Sequence, residues 1–324
     1  MLKALLVLAV MLALTMAFSA CAGVERIDWA AVMRVDSPEH AIVFRARLGR
    51  ALLGAVVGAS LGAAGVAFQT LVRNPLADPY VLGVSSGASV GAAAAIACGA
   101  VAGPAVGAAA FAGALAAMAL VYRLGLVRGR LVPYVALLAG VVLNALSWAV
   151  ILTIATLARV GTTGEILLWL MGSLSPPAWS RLILTTAVVA AGVAGLMAMA
   201  PRLNALVLGD EGAHSVGIDV PRTRKLLLVM ASLLTAAGVA VAGPIGFVAI
   251  IVPHFLRLLV GTDHRVLIPA SALGGALFLS LCDTLTRLAF LPLGAEPPVS
   301  VLTALTGGPF FLVLLWQRRG DRLF

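Results

Sequence analysis

Charge is what this sequence has least of. Only 11% of its 324 residues are Asp, Glu, Lys or Arg, against about 25% in a soluble globular domain. That shortage excludes an ordinary soluble enzyme. Lysine is nearly absent, with Lys3 and Lys225 preceded by Leu2 and Arg224. A Walker A loop needs a Gly-Lys-Ser/Thr step, so that backbone amides and the lysine cradle phosphates. The chain therefore has no such loop of its own. Cysteine is scarce too. Cys21, Cys98 and Cys282 are an odd number, each in or beside an apolar run. They give neither a disulfide framework nor a metal-ligand spacing, and read as small apolar side chains.

What is abundant is apolar. The hydrophobic share is 62% and the mean hydropathy is +1.10. Runs of about 20 apolar residues, each long enough to cross a bilayer as a helix, recur along the whole length. The expected fold is an all-α polytopic membrane protein of about ten transmembrane helices. The spans are placed at 4–24, 51–72, 81–100, 105–122, 131–158, 182–200, 226–242, 245–261, 266–290 and 299–316. Gly103-Pro104 and Gly243-Pro244 mark turns between neighbouring spans. No soluble domain or low-complexity tail interrupts the run, so residues 1–324 are read as one transmembrane domain. The start, "MLKALLVLAVMLALTMAFSACAG", is similar to a signal peptide, and Phe18-Ser19-Ala20-Cys21 faintly to a lipoprotein cleavage site. Its apolar run exceeds a signal core of roughly 7–15 residues, which favours an uncleaved first helix.

The formal charge of +9 fits Arg-rich loops beside anionic lipid better than a nucleic-acid partner. With both termini cytoplasmic, 14 of the 22 Lys and Arg fall inside and 8 outside, the bias that positive-inside topology requires. The exception is an outside cluster at Arg45, Arg47 and Arg50. Two loops are long: 25–47 outside and 202–225 inside. The apolar piece "ILLWLMGSLSPPAW" within 159–181 is too short to span and reads as a re-entrant or interfacial helix ended by Pro176-Pro177. Gly54, Gly58 and Gly62, and again Gly83, Gly87 and Gly91, recur every fourth residue. That spacing lines one helix face for close backbone packing.

Gly83-Val84-Ser85-Ser86-Gly87 spells G-x-S-x-G, the nucleophile elbow of serine hydrolases. An elbow needs a strand entering, a helix leaving, and His and acid partners. Here the pattern opens a membrane helix after a Pro-bounded turn. His214 and Asp210 lie on a separate loop. Ser85 and Ser86 are expected to bond back to nearby carbonyls, and the hydrolase reading is set aside.

The surrounding stretch, "RNPLADPYVLGVSSGAS" at 73–89, resembles the loop after the second helix in the permease subunits of ABC importers for vitamin B12, iron-siderophores and haem (the FecCD type). The match is nearly residue for residue. The resemblance continues through "LLAGVVLNAL" (137–146), "LLWLMGSL" (167–174), "LGDEGAHSVGIDV" (208–220), "VAGPIGFVAIIVPHFLRLLVGTDHR" (241–265) and "LTGGPFFLVLL" (305–315). It covers essentially the whole chain.

The resemblance implies a transport subunit of the bacterial or archaeal cytoplasmic membrane, not an enzyme. ATP and Mg are expected on a separate cytoplasmic ATPase dimer, with no cofactor or metal in this chain. The segment 202–225 would dock on that ATPase through Leu208, Gly209, Asp210, Glu211, Ser215, Gly217 and Val220. A second permease copy, in a homodimer, would complete the path, lined by the fifth and tenth helices. Asn74 and Leu76 match cytoplasmic gate positions. Arg47-Leu48-Gly49-Arg50 resembles an Arg-Leu-Pro-Arg that opens the second helix and meets a periplasmic or lipid-anchored binding protein, and Arg287 resembles a third docking position. The alternatives are headgroup snorkelling and, for Arg287, neutralisation by Asp283 one turn away. His254 and Arg257 lie in a family motif and read as structural. Pro133-Tyr134 departs from the small polar residues common at the start of the fifth helix. The competing class is an ion-coupled secondary transporter, which usually carries ionisable groups deep in the bilayer. Here only Asp283 is a candidate. The implied cargo is a metal chelate: ferric siderophore, cobalamin or haem.

Overall fold

The structure is a computed structural model, which describes residues 2–23, 28–75, 77–100, 103–176, 178–289 and 296–317. The apolar runs fold as helices, because within a bilayer each backbone N–H and C=O must be satisfied inside its own segment. In chain order the longer ones are α1 (Leu2–Cys21), α4 (Gly49–Val72), α5 (Val84–Ala97), α6 (Pro104–Leu124), α7 (Pro133–Leu157), α8 (Val160–Leu170), α9 (Trp179–Val207), α11 (Val220–Ala242), α12 (Val248–Val260), α13 (His264–Ala289) and α14 (Val299–Gln317). Short turns α2 (Trp29–Val32) and α3 (Pro38–His40) precede α4, and α10 (Asp210–Ser215) joins α9 to α11. Among the described residues, seven helices are long and apolar enough to cross a membrane.

The boundaries differ from the sequence reading in four places. The second span does not open at Arg47. Ser37 caps a helix at His40 N, and a π-helical stretch, Ala41–Leu48, runs straight into α4. The result is one helical rod, Pro38–Val72, because Gly49 keeps an ordinary helical φ of −58° and nothing breaks the ladder. The third span shrinks to the 14 residues of α5, since Asp78-Pro79 and left-handed Gly83 (φ 82°) hold 78–83 as turns. Gly83 is thus a turn residue set against Gly140 and Leu143 of α7, not on the face that Gly87 and Gly91 turn to α6. Finally, α8 ends at Leu170, before the proline pair. Left-handed Gly172 (φ 68°) turns the chain so that Ser173 N–H donates to Ala242 O at 2.8 Å. Residues 126–131, at the junction of the fourth and fifth expected spans, make a two-stranded hairpin, β1 (Leu126–Val127) with β2 (Arg130–Leu131), through Arg128 and Gly129 at positive φ.

Helix α4 is the centre of the bundle. Phe68, Val57, Leu61 and Val66 on it are fully buried. It crosses α13 with almost no separation: a Cβ at Gly58 would run into the Gly275 carbonyl. Such contact supplies the van der Waals packing that drives association where lipid is as apolar as leucine. Helix α1 is the opposite case, with Leu2, Leu6, Val10 and Leu14 exposed as a lipid-facing surface.

Polar contacts gather at the two ends of the bundle. At one end Thr70 of α4 meets His264 of α13 (2.8 Å), and Asn204 of α9 meets both the His264 ring (2.7 Å) and Asp263 (2.8 Å). At the other, Arg287 of α13 donates to Ser19 of α1 at 2.7 Å, and Ser300 of α14 donates to the Met171 carbonyl.

Candidate functional site

The segment 208–220 is built by glycines. Gly209 (φ 97°) stops α9 and Gly217 (φ 80°) stops α10, so the six residues of α10 stand off as a separate turn. Ser215 closes it, donating to Gly212 O at 2.9 Å. Asp219 then caps α11 by accepting from Arg222 N at 3.0 Å, with Pro221 in the first turn of this helix. Val220 is buried, whereas Leu208 is 68% exposed and Glu211 projects outward. A groove of about 650 Å³ runs beside it, lined by Arg130, Glu211, His214, Gly217 and Asp219 among others.

Asp210 is half-exposed and turns toward two arginines. Its Oδ1 accepts from Arg224 at 2.7 Å and from Arg73. Arg73 terminates α4 in the left-handed conformation (φ 54°) and opens the loop that holds Asn74. Sequence reasoning missed both arginines as partners, though Arg73 is the first residue of the motif. Asn74 is exposed, its N–H donating to Gln69 O at 3.1 Å. Leu76 lies outside the described residues. Beyond it the loop folds inward. Asp78 is 5% exposed and accepts the Tyr80 N–H at 2.9 Å, while Asn144 of α7 donates to Tyr80 O at 2.7 Å. Burial pushes the Asp78 carboxyl up to about 6, against the pull of the Tyr80 N–H. Ser85 is buried in the first turn of α5. Its hydroxyl and that of Tyr80 neighbour each other without a well-formed hydrogen bond, so the expected back-bond is not made there. Ser86 does make it, to Gly83 O at 3.0 Å. Asp210, on α10, is held by Arg73 and Arg224, and among the described residues no triad forms around Ser85.

At the opposite end, Asp283 is fully buried between Arg50 (2.9 Å) and Arg287 (3.3 Å). The second guanidinium nitrogen of Arg50 reaches Glu296 at 2.9 Å. Arg47 is buried and donates to the Cys21 carbonyl at 3.1 Å. Arg47, Arg50 and Arg287 thus engage their own chain first. Glu296 and Ser19 carried no signal in the sequence. On α12, Arg257 donates to Gln69 at 3.1 Å and Gln69 donates to Ala249 O at 3.1 Å. That pins α12 to α4, and His254 packs edge-on to Phe310 of α14 at 6.5 Å.

Residues 7–317 match the model of the FecCD transport family. The chain belongs to that family. The FecCD permease is 47% identical over 297 residues to the cobalamin import system permease BtuC of Halobacterium salinarum, covering 90% of this chain and 78% of that one. It is 38% identical to the hemin transport system permease HmuU of Yersinia pestis, over 85% of this chain and 83% of that one. A solved structure described as an inward-facing conformation of a metal-chelate type ABC transporter superposes with a TM-score of 0.85 at 31% identity, covering 97% and 98% of the two chains. This FecCD chain is a membrane-embedded permease subunit of an ABC import system, not an enzyme.

Proposed function

We propose that this permease imports a metal chelate, with cobalamin as the leading candidate, from the outer face of the cytoplasmic membrane. It would work as a homodimer driven by a cytoplasmic ABC ATPase dimer. The observation that carries the reading is the exposed segment 208–220, held directly against the start of the loop that bears Asn74. ATP and Mg²⁺ belong to the ATPase in this reading, since the chain has no Gly-Lys-Ser/Thr step, and no cofactor is assigned to it. The Asn74 and Leu76 positions are proposed as the cytoplasmic gate. Leu208, Gly209, Asp210, Glu211, Ser215, Gly217 and Val220 are proposed as the coupling segment.

In this reading ten helices cross, with both termini cytoplasmic. The contacts support it: Ser19 at the end of α1 and Ser300 at the start of α14 share the Arg287 end of the bundle, which sends Leu2 and Gln317 toward the α10 end. The exposed residues Tyr134, Val142 and Leu146 of α7 are the proposed face toward a second copy. Arg47, Arg50 and Arg287 are proposed as the outer docking end for a binding protein. Because Arg50 already holds Glu296, docking there is an exchange of one carboxylate for another.

The test is uptake by proteoliposomes containing permease, ATPase and binding protein. ATP-dependent accumulation of cobalamin, and not of haem or a ferric siderophore, is expected. Accumulation driven by a proton or sodium gradient without ATP would instead establish the ion-coupled class. The burial of Asp283 between two arginines speaks against that class, because a coupling carboxylate must be free to bind its ion.

A further inference from the structure

We infer that Asp210 fastens the coupling segment to the gate loop, with Arg73 as the positioning residue that carries α10's displacement into residues 73–83. The inference rests on the ABC reading above for its meaning and on the geometry for its existence.

Residues 137 positions apart in sequence meet here. Both guanidiniums converge on one oxygen, Asp210 Oδ1. Exposed ion pairs usually contribute little, because water screens them and two long side chains must be ordered. This one differs on two counts. The Arg224 side chain is only 12% exposed, so part of the pair is already removed from water. Arg73 has a left-handed backbone, φ 54°, which residues other than Gly, Asn and Asp avoid. That conformation is how α4 ends, with the Arg73 N–H and the Asn74 N–H both donating to the Gln69 carbonyl. The residue at this fixed chain reversal is the one whose side chain reaches Asp210.

The mechanical consequence follows from what each partner is attached to. Arg73 ends the most deeply packed helix, and its neighbour Asn74 is the gate position. Arg224 lies in the first turns of α11. Asp210 begins α10, a six-residue turn isolated by Gly209 and Gly217. A push on α10 therefore has flexible glycines along the chain and an ionic contact across space. The contact is the shorter route to the gate. Replacing Arg73 would leave α10 and α11 joined through Arg224 while cutting the branch to the loop.

Two measurements test this. In the full complex, Arg73→Gln should lower chelate uptake per ATP hydrolysed by about tenfold, within the range of couplings between sites, and Arg73→Lys should recover part of it. In the permease alone in lipid nanodiscs, Asp210→Asn should speed hydrogen exchange of the amides in 73–83 about fivefold, the low end of such couplings. Wild-type stoichiometry in Arg73→Gln would overturn the proposal, as would unchanged protection of 73–83 in Asp210→Asn. If the wild-type complex shows no ATP-driven uptake, the ABC reading fails, and the exchange measurement still decides whether the two segments are fastened.

Discussion

Asp78 shows how one side chain can set a pH dependence. Its carboxyl is buried with a single backbone N–H on it, and burial lifts it to about 6. A raised carboxyl holds its proton in the folded chain after the unfolded chain has released it. Stability is therefore full below about pH 4 and falls as pH rises through about 6, by at most roughly 3 kcal/mol at 1.36 kcal/mol per unit. Asp78→Asn keeps the acceptor for Tyr80 N–H and removes the titration. The variant should melt higher than wild type at pH 7.5, and its melting temperature should be flat from pH 4 to 6 where the wild type declines. Asp283 is the contrasting case, a buried carboxylate matched by Arg50 and Arg287. Removing one partner of such a group costs about 3–5 kcal/mol. Arg50→Ala should accordingly reduce the yield of folded protein in the membrane, read as the monodisperse peak in detergent.

Among the elements, the crossing of α4 and α13 is the most sensitive joint. Gly58 lies against the Gly275 carbonyl. Gly58→Val must therefore separate the two backbones, at a cost of about 1–3 kcal/mol or more. A lower melting temperature and aggregation on size exclusion are expected. Gly161→Ala, where a Cβ meets nothing within 4 Å, is the control and should match wild type. The rod Pro38–Val72 adds a second point: it carries Arg47 on a π-helical stretch continuous with the central helix, and Arg50 in the first turn of that helix. Arg47 and Arg50 are thereby fixed relative to the core and do not ride on a loop.

For the molecule in its assembly, the proposed docking end can be tested through recognition. Glu296 is 54% exposed and occupies one nitrogen of Arg50. If the binding protein presents a carboxylate there, Glu296→Gln should strengthen docking by freeing the guanidinium, without disturbing Asp283. Docking of wild type should weaken as salt rises, because rim charges are screened over about 8–10 Å at physiological ionic strength. Surface-immobilised binding protein and permease in nanodiscs would give both numbers. Unchanged affinity in Glu296→Gln, together with no salt dependence, would remove Arg50 from the docking surface.

The sequence by itself determined the class of fold, the family and the positions of most helices. Each depends on local information: a run of apolar residues must become a helix in lipid, and a motif such as "RNPLADPYVLGVSSGAS" is read along the chain. It also determined that Gly58 belongs to a packing face, since four-residue spacing is a helical property. Tertiary structure decided what those faces and charges meet. That Gly58 packs on Gly275, that Arg50 and Arg287 enclose Asp283, and that Arg73 and Arg224 share Asp210 are pairings between distant segments, and no period or composition encodes them. The same reason explains the misjudged boundaries. Arg45, Arg47 and Arg50 look like loop by charge alone, yet burial of Arg47 against Cys21 and the pairing of Arg50 with Asp283 let the helix begin at Pro38.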